Sequence, residues 1–164
     1  MSAAARTDFR EILKTLHAHG VEAIVVGGIS AALHGAPVTT FDLDLLHSTE
    51  AANVQRLLAA LEELDAVYRL PGEKRLRPLA SHLCSPGRQR LMTRFGPLDL
   101  PGSIGRSRRY EDLLPHTVEM EIGGGVRARV LDLETLIVIK EETARDTDLA
   151  VLPILRRTLE ERRR

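Results

Sequence analysis

Three aspartates carry the chemistry legible in this sequence: Asp42 and Asp44, two residues apart, and Asp99, isolated further along the chain. The first two sit in the apolar run 41–46, Phe-Asp-Leu-Asp-Leu-Leu, which reads as a short buried strand. Side chains alternate across a strand, so both carboxylates leave one face side by side. Adjacent like charges repel and raise one another's pKa, a cost that a shared cation offsets. Mg²⁺ is the expected occupant, with Mn²⁺ as a substitute, because it takes oxygen ligands and is commonly held by one or two carboxylates plus phosphates. Asp99 stands between Leu98 and Leu100 in a second apolar strand, 98–101. A charge there needs a partner, and metals shared with Asp42 and Asp44 supply one. A turn or edge-strand acid is the competing reading.

The elements around these residues must position a second reactant. A strand over 21–26 leads into Gly27-Gly28 and then a small-residue helix, 29–34. A missing Cβ at the glycines lets a triphosphate approach the backbone, where the next helix offers unpaired N–H groups. Two metals about 3.5–4 Å apart can activate a hydroxyl and clamp the leaving pyrophosphate in an in-line displacement. Asp42 and Asp44 would bridge both; Asp99 would complete the nucleophile-side metal and help to accept the hydroxyl proton. The anionic triphosphate also needs cations. Lys140, the only lysine in the carboxy-terminal half, follows the apolar run 136–139 and is the best single candidate, with a snorkelling helix residue as the competing reading. Arg145, slightly offset on the same side, can address a phosphate or Asp148.

The remaining periodicity predicts a helix over 8–19 with Phe9, Ile12, Leu13 and Leu16 on one face, and another over 50–64 behind a Ser48-Thr-Glu cap. Strands are expected over 67–70, 90–95, 118–122 and 126–131, the last two joined as a hairpin by Gly123-Gly-Gly125. The chain should turn at Gly96-Pro97, run irregularly over 71–87, connect flexibly over 102–107 and form a short helix, 108–114, stopped by Pro115. Asp132 caps a helix over 133–143, and a last helix covers 150–161, ahead of a solvated charge run at 162–164. The six histidines share no ligand spacing and are assigned to the surface or to places behind a site rather than to zinc.

These elements make an α/β chain (α+β in some schemes): a small mixed sheet with helices over one side and a helical carboxy-terminal part. At 164 residues one domain, 1–164, is expected, with 132–161 belonging to it because that part is too small to bury much alone. The single cysteine, Cys84, excludes an internal disulfide, and the absence of a membrane-length apolar run or a secretory leader makes a cytoplasmic location the default. Net charge is zero but unevenly spread. Between Arg69 and Arg109 there are ten Arg or Lys (Arg69, Lys74, Arg75, Arg77, Arg88, Arg90, Arg94, Arg106, Arg108, Arg109) against two acids, which points to a polyanionic partner for that segment.

Gly27-Gly28, Thr40-Phe-Asp42-Leu-Asp44, Gly96-Pro-Leu-Asp99-Leu, and Val130 through Lys140 with Arg145 and Asp148 together resemble the nucleotidyltransferase superfamily of the DNA polymerase beta type. Within it the chain is similar to small bacterial proteins grouped with the abortive-infection type IV toxin nucleotidyltransferases. The resemblance covers 21–155. It implies a nucleotidyltransferase-like fold and Mg²⁺-dependent transfer of a nucleoside monophosphate from a nucleoside triphosphate to an acceptor hydroxyl. Asp42, Asp44 and Asp99 match the metal acids, while Gly27, Gly28, Thr40, Lys140, Arg145 and Asp148 match nucleotide-site positions. An RNA or tRNA 3′ end as acceptor and a cognate antitoxin protein as partner are also implied. The chain departs from the pattern at Val38 and Thr147, where relatives often carry a basic residue. The alternatives are a weakly active or inactive nucleotide-binding or protein-partner module of the same fold, transfer to a small molecule or a protein, and a plain α/β domain with coincidental acids.

Overall fold

The computed structural model describes residues 7–40, 42–72 and 75–164, so the expectations placed on Phe41 and Lys74 lie outside the described residues. Helix α1 (Phe9–Ala18) opens with the Asp8 carboxylate accepting a hydrogen bond from the Glu11 N–H at 3.2 Å. Strand β1 (Ala23–Val26) follows, starting later than predicted. The glycine pair is the first turn of α2 (Gly27–Leu33) rather than a turn ahead of it, and Gly27 has φ +67°, a value that favours glycine. Strand β2 (Leu43–His47) begins one residue after Asp42, so of the paired aspartates only Asp44 is within the ladder. Then come α3 (Ala51–Glu63) and β3 (Val67–Tyr68). Just ahead of β1, the buried Asn53 of α3 holds the Glu22 backbone, its carboxamide accepting from the Glu22 N–H at 2.7 Å and donating to its carbonyl at 3.0 Å, while that carbonyl also accepts the Ser48 N–H at 3.1 Å.

The stretch expected to be irregular contains one turn of helix, α4 (Ala80–Leu83), ahead of β4 (Gln89–Thr93) and β5 (Gly96–Leu100). Their turn falls at Arg94-Phe95, not at Gly96-Pro97. The Thr93 hydroxyl donates to the Gly96 carbonyl at 2.8 Å and accepts the Phe95 N–H at 3.1 Å, closing the hairpin one step earlier. Helix α5 (Tyr110–Leu113) runs into a 3-10 turn (Leu114–His116) that contains Pro115 rather than stopping before it. The predicted hairpin is β6 (Thr117–Gly123) and β7 (Val126–Leu131). Helix α6 (Leu133–Thr143) carries the predicted Asp132 cap, accepting from the Thr135 N–H at 2.7 Å. Helix α7 (Asp146–Arg162) starts earlier than 150 because the Asp148 carboxylate accepts the Arg145 N–H at 3.1 Å and caps the first turn.

All seven strands form one mixed sheet in the order β3-β4-β5-β2-β1-β7-β6. β2 pairs parallel to β5 and β1 parallel to β7, whereas β1–β2, β3–β4, β4–β5 and β6–β7 are antiparallel. Alternation splits the core. Val25, Leu43, Leu45 and Val130 pack with α1 and α3, while Ile24, Val26, Leu46 and Leu131 pack with α5, α6 and α7. The helical carboxy-terminal part thus supplies the cover for the second face. No helix among the described residues is long and apolar enough to cross a membrane.

Two histidines depart from expectation. His34 and His47 are buried in the core, donating through Nε2 to the Leu131 carbonyl at 2.7 Å and the Leu83 carbonyl at 2.8 Å. Burial lowers the pKa of both, favouring the neutral ring. Arg162 is exposed like the rest of the terminal charge run, but it is also paired: it donates to His34 Nδ1 at 2.5 Å and ties the end of α7 to the end of α2.

Candidate active site

The sheet register assembles the site. Val26, Asp44, Asp99 and Arg90 are successive register partners across β1, β2, β5 and β4. The Arg69 N–H donates to the Arg90 carbonyl at 3.1 Å, extending this row past the end of β3. Two strands far apart in sequence therefore set Asp44 and Asp99 side by side, with Asp42 just ahead of β2 on the same approach.

Charge in this row is unevenly compensated. Burial and the neighbouring Asp99 carboxylate push the Asp44 carboxyl up to about 6, with Asp42 adding to the repulsion. Arg88 and Lys140 oppose this through space rather than by a direct ion pair. Gly27 makes the close approach possible, because a Cβ at that position would lie 2.4 Å from Asp44 Oδ2. Burial also raises the Asp99 carboxyl, against the pull of Arg69. The Arg69 guanidinium contacts Asp99 Oδ1 through one terminal nitrogen and lies 3.7 Å from Asp42 Oδ1 through the other. Arg88 stands 3.9 Å from Asp99 Oδ2.

A second charged group faces the same space. Lys140 Nζ and Arg145 Nε each donate at 3.0 Å to a different oxygen of Asp148, which is 1% exposed. Burial alone would raise that carboxyl; the two cations override it and hold it down to about 2. A cleft of about 350 Å³ is lined by Gly27, Asp44, Arg88, Ser103, Lys140 and Arg145, which joins the two charged groups. Its wall, expected to be a flexible connection, is tied down. Glu142 of α6 accepts from the Arg106 N–H at 3.2 Å and from Arg108 Nε at 3.0 Å, and Ile104 bridges to Arg108.

Of the predicted site residues, Gly27, Asp44, Lys140 and Arg145 share this cleft, with Asp148 beneath the two cations. Asp42 and Asp99 meet through Arg69. Gly28 and Thr40 pack against one another, since a Cβ on Gly28 would lie 2.7 Å from the Thr40 hydroxyl. Thr40 lines a different, roomier cleft of about 510 Å³ with Phe9, Leu13, Ile29 and Val38, whose lining holds no carboxylate. The basic segment is not one continuous patch: Arg75 and Arg77 both bind Asp65, and Arg108 binds Glu142. Arg69 and Arg88, named from sequence only as members of the basic segment, stand at Asp99 in the carboxylate row. Arg88 lies just ahead of β4 and two residues before Arg90, a spacing visible in the sequence, whereas nothing beside Arg69 marks it out from the other bases of the segment.

Among the described residues, no three His, Cys, Asp or Glu side chains are gathered into a group able to hold a metal ion as they stand. The donor chemistry nevertheless fits a hard divalent cation. Asp42, Asp44 and Asp99 offer only carboxylate oxygens, and among the described residues no direct ion pair offsets the charge of Asp44.

The fold is similar to that of a "putative nucleotidyltransferase" from Thermotoga maritima, known from a crystal structure at 1.87 Å resolution. The two share 18% sequence identity, with a TM-score of 0.54 over 93% of this chain and 91% of that one. At that identity the likeness is one of fold: a mixed sheet flanked by helices, with a helical carboxy-terminal region. No protein-family model matches the sequence, and no curated protein matches it.

Proposed function

We propose that this protein is a metal-dependent nucleotidyltransferase that moves a nucleoside monophosphate from a nucleoside triphosphate to an acceptor hydroxyl, with an RNA 3′ end, tRNA included, as the favoured acceptor. The observation that carries the reading is Asp44: a carboxylate without a direct ion pair among the described residues, in register with Asp99 and opening on a cleft that also holds Lys140 and Arg145. Asp42, Asp44 and Asp99 are the residues that would hold Mg²⁺ or Mn²⁺. A divalent cation there would supply electrophilic charge at the phosphorus under attack and at the departing pyrophosphate.

The chain's own groups do the rest. Lys140 and Arg145, oriented by Asp148, face the triphosphate and balance its charge. Gly27 leaves room for the Asp44 carboxylate at the cleft, and Gly28 leaves room for Thr40 behind it. The raised Asp99 carboxyl suits an Oδ atom to take the proton of the attacking hydroxyl as its oxygen bonds to the α-phosphorus and the bond to pyrophosphate breaks. Arg90, the register partner of Asp99, and Arg88, two residues before it, suit an acceptor whose own backbone is anionic. The resemblance to toxin-like members adds a cognate antitoxin as the proposed protein partner.

The test is transfer. Purified protein with Mg²⁺ or Mn²⁺ is incubated with each labelled triphosphate and, separately, total RNA, tRNA and small hydroxylated acceptors. Labelled RNA that disappears in Asp42→Asn/Asp44→Asn supports the reading. Strong labelling of small molecules with no RNA product reassigns the acceptor. Triphosphate binding without transfer to any acceptor makes the protein a nucleotide-binding module instead.

A further inference from the structure

We infer that Arg69 is a built-in counter-cation of the carboxylate site, which a divalent metal must displace in order to bind. The inference rests on the metal-dependent reading above and adds a competition within it. Arg69 is anchored by its backbone to Arg90 and reaches across β4 and β5, splitting its two terminal nitrogens between Asp99 and Asp42. It thereby occupies the acids that a metal would use as ligands, on both sides of the gap between them. This is also why three carboxylates brought to one end of the sheet do not converge on a common point: two of them are turned to a guanidinium.

Three observations indicate an exchangeable contact rather than a permanent structural one. An arginine has five N–H donors, and a guanidinium built into a core uses them. Here Nε is buried without a hydrogen-bond partner among the described residues, so the side chain is held by charge at its tip. The side chain is 27% exposed, which leaves a way out. Finally, the acid between the others, Asp44, has no direct ion pair among the described residues, so the guanidinium neutralises the cluster incompletely, whereas a divalent ion held by these acids would carry twice the charge. A metal and Arg69 cannot hold the same oxygens, and their like charges repel, so each lowers the affinity of the site for the other. Metal-free protein is thereby kept stable, and the guanidinium released on metal binding is left beside Arg88 and Arg90.

Mn²⁺ binding, followed by electron paramagnetic resonance of the free ion, tests this on the full chain. Arg69→Gln and Arg69→Lys should bind Mn²⁺ more tightly than the parent by at least about fivefold, the low end of ordinary coupling between two ligands, with Gln the stronger effect. Loss of binding in Asp44→Asn places the ion at this site. Equal or weaker Mn²⁺ binding in the Arg69 variants overturns the competition and leaves the metal site standing; no Mn²⁺ binding in any form overturns both. Should Arg69→Gln fail to fold, the parent protein decides. With ¹⁵N-arginine labelling, saturating Mg²⁺ should shift one Nε resonance, identified by its absence in Arg69→Lys, and speed its exchange with water. An unmoved resonance at a Mg²⁺ concentration that raises the melting temperature overturns the inference.

Discussion

Asp99 and Asp148 are both almost fully buried, at 4% and 1% exposed, yet their carboxyls are driven in opposite directions. Burial pushes both up. At Asp148 two cations bind separate oxygens at 3.0 Å and more than reverse that push. At the Asp44–Asp99 row Arg69 is shared between Asp99 and Asp42, Arg88 stands 3.9 Å from Asp99, and Asp44 has no direct ion pair among the described residues. The contrast teaches that burial alone does not mark a reactive acid. A buried acid whose charge is met by the protein orients its partners, whereas one whose charge is left over is suited to an incoming cation.

The largest expected effect breaks the satisfied side. Asp148→Asn leaves Lys140 and Arg145 without their shared carboxylate and should cost about 3 kcal/mol in urea unfolding at pH 7, the lower end for a broken buried pair because Arg145 is exposed. With a folded pKa of about 2, below the unfolded value, Asp148 stabilises above the unfolded pKa and loses that contribution as pH falls through about 2. The gap between parent and variant should therefore narrow in strong acid. A loss under about 1 kcal/mol at pH 7 would erase the contrast.

Next comes a gain from the unsatisfied side. Asp44→Asn should stabilise the metal-free protein at pH 8 by about 2 kcal/mol, because it removes a carboxylate whose folded pKa is raised to about 6. The sign follows from the native state binding the extra proton: the parent's stability falls as pH rises from the unfolded value toward 6. The advantage of the variant should vanish near pH 4. Thermal unfolding across that range measures it, and added Mg²⁺ should erase the advantage by stabilising only the parent.

A smaller effect separates stability from site geometry. Gly27→Ala should cost about 1 kcal/mol for its left-handed backbone. It should also abolish tight Mn²⁺ binding, because the new Cβ would displace the Asp44 carboxylate. Normal metal binding in a folded Gly27→Ala protein would show that this close approach is incidental. The smallest expected change in stability is at exposed Arg90. Arg90→Ala should alter unfolding by less than about 0.5 kcal/mol while lowering by about 1 the slope of log affinity for RNA against log salt.

Much of this molecule was legible because it is local. Asp132 caps α6 three residues ahead of Thr135, the Gly123–Gly125 turn closes β6 on β7, and leucines at helical spacing bury α3. The glycine pair, the acids at 42, 44 and 99, and the cation at 140 were likewise visible as residue types in short patterns. Local periodicity, however, says which face a side chain leaves and not which strand lies beside it. Tertiary structure decided that β2 pairs with β5, so that Asp44 and Asp99 share a row. It also turned Arg69 into that row's counter-cation, paired both Arg75 and Arg77 with Asp65, and paired Arg108 with Glu142. His34 and Arg162, 128 residues apart, meet because α7 packs on α6, which in turn packs on α2. The physical reason is the same in each case: a charged side chain's partner is fixed by burial and strand order across the whole sheet, and neither is written in the residues next to it.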